Sequence, residues 1–276
     1  MKNKILDLQK IAQNIRVLTI QMLYDIGLKY KGHPGPALSI VDIITVLYFR
    51  VMRIDPANPG WQDRDRFILS KGHACPALYA ALAEKGYFDK RHLSTFRHAG
   101  SILQGHPDMK KTPGIDMTTG SLGHGLGAGV GMALAARIDK KDYHTYVLVG
   151  DGEIQEGLIW ESIMAAGHYG LGNLTMIIDR NHWQSCNAVD CTIDIEPLAE
   201  KLSSFRWSVK EVDGHDFSHL TGALSRFNTS KPVAVIATTV KGKGISFMED
   251  DNSWHQRPIT DEEYKKAMAE LEAGEG

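Results

Sequence analysis

Two hydrophobic rhythms run through this chain. Tyr146 to Val149 and Leu174 to Ile178 are short apolar runs rich in β-branched residues. Each is cut off by turn residues, Gly150-Asp151-Gly152 after the first and Asp179-Arg180-Asn181 after the second, the mark of buried parallel strands. Between them Ile154, Leu158, Ile159, Ile163, Ala166 and Tyr169 recur near every 3.6 residues, and Gly170 and Gly172 can close the helix they predict. A right-handed βαβ crossover then brings both turns to one carboxyl edge, where open α/β sheets bind ligands.

The same patterns extend in both directions. Arg66 to Ser70, Trp207 to Val212 and Val233 to Val240 read as further buried strands. Helical spacing marks Ile5 to Gly27, Ser39 to Phe49, a segment from Ala74 through Leu82, a Gly/Ala-rich stretch from Gly123 to about Arg137, and Phe217 to Leu224. Thr260 and Glu263 form a capping box at the start of a polar final helix. Strands separated by helices predict an α/β fold of three layers, a mostly parallel central sheet with helices on both faces. No linker, repeat or low-complexity tract interrupts the 276 residues, so residues 1–276 are expected to form a single domain with an N-terminal helical extension.

Charge narrows the choice of partners. Thirty-one Lys and Arg balance 33 Asp and Glu, and no basic cluster is present to attract nucleic acid or an anionic membrane. The longest apolar stretches are broken by charge or glycine before about 18 residues, so no transmembrane helix is expected. Cys75, Cys186 and Cys191 neither pair evenly nor show metal-binding spacing, and the first ten residues lack the apolar core of a signal peptide. A cytoplasmic location is the expectation.

Chemistry concentrates in the βαβ unit. Asp151 and Asn181 lie thirty residues apart at neighbouring strand ends, and both offer hard oxygens of the kind Mg²⁺ takes. Two ligands suit a Mg²⁺ that completes its shell with a diphosphate and water better than a bare ion. Gly150 and Gly152 permit close backbone approach, and a helix starting near Glu153 would aim free N–H groups at an anion. Gly123, Gly125 and Ala128 match the dinucleotide fingerprint in form, but no strand precedes them, and no GxxxxGK[ST] occurs. Both readings are set aside.

The words GDG-x-x-x-EG, with Asp151, Glu156 and Gly157, and D-x-N, with Asp179 and Asn181, resemble the thiamine diphosphate motif as transketolases carry it. GHPG at His33, SKGHA at His73, GHP at His106 and WH at His255 resemble the same family in wording and order. The resemblance implies thiamine diphosphate and Mg²⁺ as cofactors. It assigns the metal to the side chains of Asp151 and Asn181 and the backbone carbonyl of Trp183. Cofactor contacts fall on His73, Gly120, Ser121, Leu122, Gly152, Glu153, Asn181 and His255. His33, His106 and His255 line the route of the sugar as catalytic residues, since imidazole can donate to a substrate hydroxyl or shuttle a proton near neutrality.

The resemblance covers only the N-terminal part of a one-chain transketolase. It therefore implies the first subunit of a split transketolase, a transferase that moves a two-carbon ketol unit from a ketose, phosphorylated or modified, to an aldose phosphate. A second chain would carry the pyrimidine-binding domain, and two of each chain would make a heterotetramer. The alternatives are a subunit of another thiamine diphosphate enzyme, such as deoxyxylulose phosphate synthase or a 2-oxo acid dehydrogenase, and a non-catalytic partner subunit. His182-Trp183-Gln184-Ser185-Cys186-Asn187 departs from the family's usual turn and leaves the donor sugar open.

Overall fold

The computed structural model describes residues 2–226 and 230–273. Strands β1 (Arg66–Leu69), β2 (Thr145–Gly150), β3 (Leu174–Arg180), β4 (Ser208–Asp213) and β5 (Val233–Thr238) form one parallel sheet in the order β1-β2-β3-β5-β4. The helices are α1 (Lys2–Asp25), α2 (Pro34–Leu38), α3 (Val41–Val46), α4 (Cys75–Lys85), α5 (His124–Ile138), α6 (Gly157–Tyr169), α7 (Val189–Thr192), α8 (Leu198–Ser204), α9 (Phe217–Leu224) and α10 (Asp261–Ala273).

The period-2 pleat divides the core into two apolar layers. Tyr146 and Leu148 of β2, Ile177 of β3 and Val233, Val235 and Ala237 of β5 face one cluster, which α1, α3, α4, α9 and α10 complete. Val147 and Val149, Leu174, Met176 and Ile178, and Ala234 and Ile236 face the other, covered by α5, α6 and α8. The predicted three-layer architecture is therefore present, and the near-continuous apolar runs of β2, β3 and β5 are explained by burial on both faces.

Three local expectations change. β4 is an edge strand, half exposed along its length, because β5 inserts between it and β3. The helix expected near Glu153 opens as a short 3₁₀ turn, Gly152–Gln155, and α6 starts only at Gly157. The expected helix over Ser39–Phe49 is split into α2, α3 and a π-helical turn at Leu47–Val51. By length and composition Pro34–Val51 is apolar enough to cross a membrane, but Gly35, Asp42 and Arg50 interrupt it, as expected from sequence, and it is packed into the core.

Helix ends follow the sequence signals. Gly170 closes α6 with φ +58°, and the backbone N–H of Glu263 donates to Thr260 Oγ1 while Thr260 N–H donates to Glu263 Oε2. That reciprocal pair is the predicted capping box.

Candidate functional site

Four strand ends meet at the carboxyl edge of the sheet: Ser70–Lys71 after β1, Asp151 after β2, Asp179–Asn181 at the end of β3 and Thr239–Lys241 after β5. The loop before α2 and the turn around His255 close over them. Together they enclose a cavity of about 370 Å³ lined by His33, His73, Gly120, Leu122, Asp151, Gly152, Glu153, Asn181, Trp183, Lys241 and His255, among others.

Its floor is a buried polar network centred on Asp179. The Lys71 ammonium donates to Asp179 Oδ2 at 2.5 Å and to the Pro36 carbonyl at 3.0 Å. Ser39 Oγ and Asn181 Nδ2 donate to the same oxygen at 2.8 and 2.7 Å, and the Thr239 hydroxyl donates to Oδ1. Burial alone would raise the Asp179 pKa, but Lys71 and these donors outweigh it and hold the carboxyl below its usual range. The network also orients Asn181: its Nδ2 is spent on Asp179, which leaves Oδ1 as the acceptor, taking Trp183 N–H at 3.1 Å.

Asp151 is buried beside it. Its Oδ1 accepts from Gly152 N–H at 2.8 Å, and its Oδ2 accepts from His182 N–H at 2.6 Å and from Arg180 at 3.2 Å. His182 takes a left-handed φ of +67°, a strained value for a residue with a side chain, and this bend lets its N–H reach back to Asp151. Burial first, and then the nearby Asp179 charge, push Asp151 up to about 6 despite Arg180. The buried carboxylate is under-compensated by the protein alone. Among the described residues no three His, Cys, Asp or Glu side chains converge on a metal-sized site.

Three histidines form a triangle on the cavity wall. Ring centroids of His33 and His73 are 5.1 Å apart, His33 and His255 5.6 Å, and His73 and His255 5.5 Å. Burial lowers all three pKa values, His33 to about 4, His255 to about 3 and His73 well below normal; neighbouring cations and imidazoles add to it. All three are neutral at pH 7. Lys241, which can only donate, bonds His255 Nδ1 at 3.0 Å and Asn252 Oδ1 at 2.6 Å. His255 must accept at Nδ1, so its proton sits on Nε2.

The remaining predicted residues divide. His106 does not line the cavity; its ring packs on Gly120, where a Cβ would come within 3.2 Å of the imidazole and where φ is +152°. Ser121 is exposed outside the cavity lining, whereas its neighbours Gly120 and Leu122 belong to it. Glu153 lines the cavity, but its carboxylate is engaged by Ser70 Oγ at 2.5 Å and by the N–H groups of Gly123 at 2.8 Å and Gly150 at 3.0 Å. It ties the Gly120–Gly123 loop to the end of β2. Sequence reasoning passed over Lys71 and Lys241. Their signal was present, since each directly follows a predicted buried strand, where a lysine persists only with partners.

The family described as "Transketolase, thiamine diphosphate binding domain" matches residues 8–273. The chain is 45% identical to a 6-deoxy-6-sulfo-D-fructose transketolase subunit of Clostridium sp. strain MSTE9, over 99% of this chain and 98% of that one. It is 43% identical to an apulose-4-phosphate transketolase subunit of Phocaeicola vulgatus, over 90% and 89%. Among solved structures, transketolase from Leishmania mexicana superposes with a TM-score of 0.89 at 32% identity, covering 96% of this chain and 41% of that one. Fold and site thus define a thiamine diphosphate-binding α/β domain. The chain belongs to the transketolase family, as an N-terminal subunit of the split, two-carbon-transferring kind.

Proposed function

We propose that this chain holds the diphosphate end of thiamine diphosphate through Mg²⁺ and works with a second chain on ketoses that end in an anionic group. The observation that carries the metal assignment is the shared cavity. Asp151 and Asn181 both open on it, one carboxylate and one amide oxygen, while Glu153, which also lines it, is engaged by Ser70, Gly123 and Gly150. Trp183 lines the same wall and would supply its backbone carbonyl. Gly152 and Gly120 line the same cavity, although Gln184 packs against the first at the place a Cβ would take and His106 against the second, and His73 would donate toward the diphosphate.

When bound, the cofactor supplies the carbanion chemistry of ketol transfer. The protein's own part is to position and to hold protons. His255, with its proton fixed on Nε2 by Lys241, is a donor for a substrate oxygen, and neutral His33 beside it can accept or return a proton. His106, stacked over Gly120, would stand at the outer end of the sugar's route. At His33 the charges of Arg97, Lys241 and Lys71 all act as nearby cations, which suits an anionic sugar; the two named relatives act on a sulfo-sugar and a sugar phosphate.

Three further points belong to this reading. The partner carries the pyrimidine-binding domain, and two of each chain assemble, since closed two-fold assemblies are common. Leu122, Ile138, Met164 and Tyr169 on and beside α5 and α6 are exposed apolar residues suited to covering by that partner. The three unpaired cysteines fit a reducing cytoplasm. The test is to assay the chain, assembled with its partner, for two-carbon transfer from ketose phosphates and sulfonates against pyruvate decarboxylation. Decarboxylation without transfer would overturn the proposal.

A further inference from the structure

A second polar network lies behind the site, on the far side of β5 and outside the cavity lining. Arg16 Nη2 of α1 meets Asp42 Oδ2 of α3 at 2.6 Å. The same oxygen is 2.8 Å from His215 Nδ1, and His215 Nε2 is 2.9 Å from the backbone nitrogen of Val240. Val240 N–H can only donate, so His215 accepts at Nε2 and carries its proton on Nδ1, where it donates to Asp42. One tautomer satisfies both ends.

The placement matters because of what flanks Val240. Thr239 donates to Asp179 on one side, and Lys241 fixes the tautomer of His255 on the other. Chain direction leaves the sheet here: β5 ends at Thr238, so the Val240 N–H has no strand partner. The neighbouring amides are anchored separately, Thr239 N–H to the Arg180 carbonyl at 3.1 Å and Gly242 N–H to the Gly35 carbonyl at 3.1 Å. His215 is itself pressed into this turn. Gly214 N–H donates to the Thr238 carbonyl at 2.8 Å, and a Cβ on Gly214 would lie 2.4 Å from Thr239 Cγ2. The Gly214-His215 pair is thus fitted to the end of β5 rather than merely near it.

We infer that His215 is a positioning residue for ketol transfer: by accepting from Val240 N–H it sets the backbone that presents Thr239 to Asp179 and Lys241 to His255. Asp42 and Arg16 act one step further out by holding His215 in the tautomer that can accept. The inference rests on the transketolase reading for its catalytic consequence, but the backbone consequence stands apart from it.

Two conservative variants separate this role from simple satisfaction of buried Asp42. In H215Q the side-chain carbonyl can reach the place of Nε2 and accept from Val240, while the donor to Asp42 is lost. In H215N the amide can stand in for Nδ1 and donate to Asp42, while Val240 N–H loses its acceptor. Both are measured in the assembled enzyme, by donor KM and kcat, by thiamine diphosphate affinity from tryptophan fluorescence, and by hydrogen exchange over residues 239–244. The expected result is that H215N loses on the order of 10-fold in kcat/KM, the scale of losing an outer hydrogen-bond partner of a site residue, with faster exchange in that segment. H215Q should stay nearer wild type in both. The reverse order, or equal losses that track the unfolding temperature alone, would overturn the inference. Wild-type enzyme without transferase activity would instead indict the functional reading, while the exchange comparison would still decide the backbone role.

Discussion

The Lys71 ammonium and the Asp179 carboxylate meet at 2.5 Å with both side chains almost wholly out of water, 3% and 0% exposed. A buried ion pair of this kind returns its desolvation cost only when geometry and extra hydrogen bonds are good, and removing one partner costs about 3–5 kcal/mol. The two ends are unequal. Asp179 keeps three other donors if Lys71 is lost, from Ser39, Asn181 and Thr239, whereas Lys71 keeps only the Pro36 carbonyl and a 3.5 Å contact to Ser39 Oγ if Asp179 is lost. Asp179→Ala should therefore destabilise by about 3–5 kcal/mol and Lys71→Met by less, read from urea unfolding. Equal losses would mean that the hydroxyl and amide donors contribute nothing.

Acid should unfold the protein through its histidine triangle. His33 and His255 have folded pKa values near 4 and 3 against about 6.5 unfolded, so the unfolded chain binds more protons in that interval. Stability from these groups is complete above about pH 6.5 and is lost as pH falls toward 4 and 3. Thermal unfolding without cofactor, followed from pH 7 to 4, should show a smaller decline in the His33→Gln, His255→Gln double variant than in wild type. Parallel declines would show that the imidazoles are solvated.

Much of this site was legible before any coordinates. The β2 and β3 runs are apolar on both faces, as buried parallel strands are, and their pairing through Gly150 and Asp179 brings Asp151 and Asn181 to one sheet edge and one cavity. What the sequence hid was of two kinds. Strand order cannot be read from periodicity, so the insertion of β5 between β3 and β4 was unseen, and with it the edge exposure of β4 and the arrival of Thr239 and Lys241 at the site. Polar networks are also invisible to a pattern of apolar positions. Lys71 and Lys241 look like ordinary loop lysines until burial demands partners for them, and Glu153 looks like a ligand until its oxygens are found holding Ser70, Gly123 and Gly150.

Removing the metal should loosen the cofactor. With Asp151 as the one carboxylate proposed to reach Mg²⁺, chelation by EDTA or Asp151→Ala should each raise the dissociation constant for thiamine diphosphate at least 10- to 100-fold, the range already reached by losing outer-shell partners. The chelated wild type and the variant should behave alike, and adding Mg²⁺ should restore only the wild type. Recovery of the variant by Mg²⁺ would remove Asp151 from the ligand set.

The chain by itself should be silent as a transferase. Its cavity gathers groups suited to the diphosphate and to the sugar, Asp151, Asn181, His33, His73 and His255, while the buried Glu153 carboxylate is tied to Ser70, Gly123 and Gly150. In the proposed reading, activation of the cofactor's other end comes from another chain. The exposed apolar residues of α5 and α6, Ile138 at 79% and Met164 at 54%, are where that chain would dock. Light scattering of the separate and mixed chains should show association into two copies of each, with two-carbon transfer appearing only in the mixture. A charged substitution on that face, Met164→Glu, should block association while leaving the fold of this chain intact, because Met164 is mostly solvent-exposed here. Full activity from this polypeptide alone would refute the division of the site between two chains.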